Sequence, residues 1–220
     1  TAAVVFRAGR CCFFPPASII MQKENTGLFT NRETAMPSEE TIEFSEDPRL
    51  LSLYKNIFFK KRSGLAKGET LPAIAAHRSG AQAHPVKLGE YREACGLEDD
   101  GKVPLLYPHV LTSSMHISII AHDTFPLSPF GAVHLRDHIL QHRWILPEET
   151  MEYSCRLAAQ RIAKGGLEFD ITTVILIGGE RVWESISTYM VRGKKWGAPE
   201  PPSPLSDIKE VSEASSDMEA

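Results

Sequence analysis

The sequence predicts an α+β domain in which one long apolar helix is wrapped by a curved antiparallel sheet, and three observations carry that expectation. Residues 109–121 (HVLTSSMHISIIA) form the longest helical apolar stretch of the 220-residue chain. After the turn-rich segment 125–131 the apolar period falls from 3.6 to 2, the change from helix to strand. Gly178-Gly179 then separates two such alternating runs, as a two-residue hairpin turn requires. With 42% apolar residues the chain can build one core, and its length excludes two full enzyme domains.

Taken in order, residues 1–48 read as a poorly ordered extension. The first 23 hold Arg7, Arg10 and Lys23 and no acid, a composition shared by organellar targeting segments. The expected localisation is intracellular, in the cytoplasm or in an organelle such as a mitochondrion or plastid. Residues 24–48 are polar and turn-rich. The folded domain is expected over 49–196. It opens on an amphipathic helix, with Leu50, Leu53, Tyr54, Ile57 and Phe58 on one face and Gly64 beyond its end. Its basic end, Lys60-Lys61-Arg62, complements the helix dipole and needs no membrane partner. Residues 71–77 and 85–88 are limited by Pro and Gly to short edge strands. A short helix fits 88–95 and stops at Gly96.

Pro108 opens the central helix well, since its missing N–H needs no partner in the first turn. Val110, Leu111, Ser114, Met115, Ile117, Ser118 and Ala121 make the helix apolar or small around most of its circumference, so it is expected to be buried nearly all round. Strands are expected over 132–144, 151–163, 167–177 and 181–192, the third alternating Leu167, Phe169, Ile171, Thr173, Ile175 and Ile177 on one face. Residues 197–220 read as a disordered, Pro-rich acidic tail, with six acids against Lys209.

The charge balance, 24 Lys+Arg against 28 Asp+Glu, provides no chain-wide basic field, so nucleic acid is not an expected partner. No run reaches the roughly 18 uninterrupted apolar residues of a membrane-spanning helix. Four cysteines, Cys11, Cys12, Cys95 and Cys155, make neither a disulfide framework nor a zinc pattern. His134, His138 and His142 stand at spacing four on one strand, each about 13 Å from the next by strand rise, a gap that excludes shared ligation, so no metal site is expected. His109 and His116 share a helix face two turns apart and read as hydrogen-bonded core histidines. Asp170 reads as a carboxylate without histidine support.

Residues 103–111 (VPLLYPHVL) entering the helix and 125–139 (FPLSPFGAVHLRDHI) after it resemble the MaoC-like dehydratase family. Leu71-Pro72-Ala73 and the hairpin segments 165–170 and 179–185 resemble the same family, in the same order. The resemblance covers roughly residues 50–193. It implies the hotdog fold and an acyl thioester as ligand, carried on coenzyme A or an acyl carrier, with no tightly bound cofactor. The family hydrates or dehydrates enoyl thioesters through an Asp and a His that share one water, in a Gly-Asp-x-Asn-Pro-Leu-His signature ahead of the central helix. Aligned on Pro104-Leu105, the Asp position is Gly101, the Asn is Val103 and the His is Leu106.

The expectation is therefore a module without catalytic residues of its own, like the first half of a double-hotdog hydratase. It would shape an acyl-thioester pocket near Tyr107, His109, Leu111 and Met115 and associate with a second hotdog domain, as a homodimer or with a separate catalytic half. The alternatives are an active dehydratase or thioesterase using the displaced groups Asp123, Asp137 or His138, and a structural subunit of a larger assembly.

Overall fold

The computed structural model describes residues 2–7, 39–46, 57, 62–66, 68–130 and 132–193. Its elements run β1 (Ala2–Arg7), β2 (Glu40–Phe44), β3 (Ile74–Ala81), α1 (Pro85–Cys95), α2 (Tyr107–Ala121), β4 (Ala132–Gln141), β5 (Met151–Ala163), β6 (Gly166–Ile177) and β7 (Glu180–Arg192). Of the helix expected from residue 49, only Ile57, which is helical, and Arg62 are among these residues, and the acidic tail lies outside them.

The strands form one sheet in the order β1-β4-β7-β6-β5-β3-β2. Every neighbouring pair is antiparallel except β2 and β3. Register shifts interrupt the ladders of β3, β4, β5 and β6, and such bulges bend strands and deepen their twist. The long α2 lies across the bent sheet. His116 on its inner face reaches Thr173 of β6 and Tyr189 of β7, and Met115 and Ile119 bury completely among Tyr153, Phe169, Ile171 and Ile175. Val110 is the one exposed residue of α2.

Both ends of α2 are tied down. Trp183 of β7, fully buried, donates its indole N–H to the Leu105 carbonyl at 3.0 Å, fixing the entry loop to the hairpin. At the other end the Arg62 guanidinium donates to the carbonyls of Ala121, His122 and Phe125. The last carbonyls of a helix have no intrahelical donor, and a cation there also meets the negative end of the dipole. Arg62 thus serves the central helix.

The short edge strands expected over 71–77 and 85–88 are corrected. β3 runs eight residues and lies inside the sheet, between β2 and β5, while 85–88 is the first turn of α1. Pro72 precedes β3 and interrupts no ladder, and Pro85 occupies a first helical turn where its missing N–H costs nothing. β1 and β2 come from the segment whose composition reads as loosely ordered. They hold their places on the two sheet edges through backbone pairing, which apolar periodicity does not register. No helix among the described residues is long and apolar enough to cross a membrane.

Candidate functional site

Where α2 begins, three side chains from two elements converge. His109, in the first turn of α2, brings Nε2 to 3.7 Å from Oδ2 of Asp137 on β4, and His134 brings Nε2 to 3.1 Å from the same oxygen. A regular strand would place residues 134 and 137 on opposite faces. β4 is not regular there. His134 pairs with Tyr189 and Arg136 with Thr188, so Leu135 is an extra residue with no partner of its own on β7. That bulge brings His134 and Asp137 to the face beneath α2.

The rings around them are stacked. The His134 ring lies 4.7 Å from Tyr189 and 5.6 Å from His109, both near parallel, and His109 meets His116 edge-on at 5.7 Å. Burial lowers the His109 pKa, against the pull of Asp137, so its imidazole is neutral at pH 7. Burial alone would raise the Asp137 carboxyl. The His134 contact, the fields of both histidines and the Ser187 hydroxyl outweigh it and hold the group below the usual carboxylate range. The result is an ionised carboxylate beside a neutral imidazole, with the His134 side chain 35% exposed at the outer edge and Asp137 8% exposed at the bottom.

Deeper in, His116 is wholly buried between the Tyr189 hydroxyl at 3.0 Å and the Thr173 hydroxyl at 2.7 Å, and burial pushes its pKa down to about 3. Along the same face of β4 and β7, Asp137 stands opposite Ser187 and Ile139 opposite Ser185, with Gln141 beyond. Ser185 and the Gln141 amide are buried without an aligned hydrogen-bond partner among the described residues, a polar strip running inward from the carboxylate.

Of the residues singled out from sequence, His109 and Asp137 meet here. Tyr107 and Met115 are buried in the core, Tyr107 against Tyr91 with ring centres 5.1 Å apart, and Leu111 is half-buried beside them. His138 points to the far face of β4, and Asp123 follows the opposite end of α2, roughly 20 Å away by helical rise. Gly101 sits in an exposed turn at φ +74°, its N–H held by Asp99, and Leu106 is the N-cap of α2. Asp170 is held by Arg161 at 2.7 and 2.9 Å and by Thr188 at 2.7 Å, on the sheet face away from α2. His134 was not legible from sequence, because strand alternation assigns it to the other face from Asp137. His142, expected on one face with His134 and His138, lies past the end of β4 and pairs with Glu184.

No family model matches the chain. It is 30% identical over 120 residues to 3-hydroxyacyl-thioester dehydratase X of Mycobacterium tuberculosis, a match covering 54% of this chain and 43% of that protein. A crystal structure of HtdX from the same organism superposes with a TM-score of 0.51 at 26% identity, over 54% of this chain and 51% of that one. A second HtdX structure gives 0.50 at 26%, over 61% and 54%. The chain thus spans about half the length of the relatives it matches. Its resemblance to the MaoC-like dehydratases and its hotdog fold are both borne out.

Proposed function

Related as the chain is to the hydroxyacyl-thioester dehydratases, whose hotdog fold it shares, we propose that it adds or removes water across the C2–C3 bond of an acyl thioester at the mouth of α2. The single observation behind this reading is the carboxylate–imidazole pair of Asp137 and His109. Their 3.7 Å separation is too long for a direct hydrogen bond but lets one water bond both, each at an ordinary distance of about 2.8 Å. The pair stands at the N-terminal end of α2, as the family's own pair does, though it is built from different positions.

In the hydration direction neutral His109 holds the water and Asp137 takes its proton. The hydroxyl oxygen bonds to C3, the C2–C3 electron pair moves toward the thioester carbonyl as an enolate, and Asp137 returns the proton to C2. Dehydration reverses each step. The positive end of the α2 dipole faces the developing enolate charge. The ligand would be the thioester of coenzyme A or of an acyl carrier, with no further cofactor.

The test is turnover of crotonyl and longer enoyl thioesters by the purified chain. Asp137→Asn keeps the shape of the side chain and removes the base. It is expected to lower kcat by at least 100-fold with little change in KM, at the low end of what acid–base catalysis supplies.

A second reading is favoured by Gly101 and Leu106 at the family's catalytic positions. In it the chain binds the thioester without converting it and completes a site with a second hotdog domain against its open sheet edges. Saturable thioester binding with no turnover by the wild-type chain would support that reading and sink the first.

A further inference from the structure

The geometry points to a divalent transition-metal site formed by His109, His134 and Asp137. One ligand atom from each residue lies within 4.8 Å of the others, and the two approaches to Asp137 Oδ2 are 3.1 and 3.7 Å. A tetrahedral ion bonded at about 2.0–2.2 Å to two imidazoles and a carboxylate separates its ligand atoms by about 3.4 Å. The observed approaches bracket that distance.

The contacts are also poorly explained as hydrogen bonds alone. His134 Nε2, close as it is to the carboxylate, lies off the line that an N–H···O bond takes, and Asp137 Oδ1 is buried without an aligned donor among the described residues. Two nitrogens and one oxygen select Zn²⁺, Co²⁺ or Ni²⁺ over Mg²⁺ or Ca²⁺, which take oxygen ligands. The exposed edge of His134 leaves room for solvent as the remaining ligand.

This inference does not rest on the proposed turnover. An ion here would use the Asp137 lone pair that proton transfer needs, so it would act as a brake on that chemistry.

The test titrates the full chain with Co²⁺ and reads its visible ligand-field spectrum and calorimetric stoichiometry, then displaces it with Zn²⁺. One Co²⁺ per chain with a four- or five-coordinate spectrum is expected. At least a tenfold loss of affinity should follow in both His134→Ala and Asp137→Asn, with no loss in His142→Ala, whose ring bonds Glu184 elsewhere. His134→Ala alters a partly exposed side chain, and its circular dichroism spectrum confirms that it folds. An octahedral, water-like spectrum, binding equal in wild type and His134→Ala, or a preference for Mg²⁺ would each overturn the assignment.

Discussion

His116 shows how a single buried side chain ties stability to pH. It has no exposed surface to speak of, and its two ring nitrogens are both taken by neutral hydroxyls, from Tyr189 and Thr173. Protonation would place a charge beneath α2 with no acid in contact, which is why its pKa falls to about 3 in the fold against 6.5 in an open chain. Above pH 6.5 the ring is neutral in both states and its contribution to stability is fully present. As pH drops below 6.5 the unfolded chain takes up a proton that the folded one refuses, so stability falls by up to about 1.4 kcal/mol per unit until pH nears 3. His109, lowered by the same cause, acts in the same direction. Urea midpoints at pH 7.5 and 5 should show this decline, and His116→Gln should flatten it. An unchanged slope in that variant would show that the ring is not the sensor.

The hairpin of β6 and β7 rests on a glycine at its far end. A Cβ on Gly166 would stand 2.1 Å from the Val191 carbonyl oxygen and 2.9 Å from Arg192 Cα, both backbone atoms that cannot rotate away. On Gly165 it would meet only the flexible Met190 thioether, at 3.2 Å. Gly166→Ala should therefore cost about 3 kcal/mol, near the top of the overpacking range, and Gly165→Ala well under 1. Equal unfolding midpoints for the two variants would refute the contact. That hairpin, like α2, was legible in the sequence because its signals are local. Alternation over 167–177, the Gly178-Gly179 turn and the apolar run behind Pro108 each sit within one element. The β4 bulge was not legible, since Leu135 differs from its neighbours only in having no partner on β7. β3 escapes the limit that Pro and Gly suggest over 71–77 and 85–88, because Pro72 precedes it and Pro85 opens α1 beyond its end.

Contacts between distant elements are where reading the chain reached least far. His109 and Asp137 lie 28 positions apart and meet only once α2 is seated on β4, and Asp170 looked like an isolated polar residue on a strand. On the face away from α2 it belongs to an ionic chain crossing four neighbouring strands. Arg136 of β4 binds Glu168 of β6 at 3.1 Å, Arg161 of β5 binds Glu168 at 2.8 Å and Asp170 at 2.7 Å, and Thr188 of β7 donates to Asp170. Both acids and both arginines are largely buried, with side chains 7 to 13% exposed. A buried pair of this kind adds little over an apolar one, but breaking it strands a charge out of water. Asp170→Ala should thus cost about 3–5 kcal/mol, and the double change Arg161→Met with Asp170→Leu should recover most of that loss. Urea denaturation of the three proteins measures both steps, and a double variant no more stable than Asp170→Ala would show that the strands depend on the charges themselves. Because Asp137 faces the opposite side of the sheet, neither change should move thioester turnover or Co²⁺ affinity while the protein stays folded. Loss of either in the refolded double variant would mean that the two faces are coupled through the ladder.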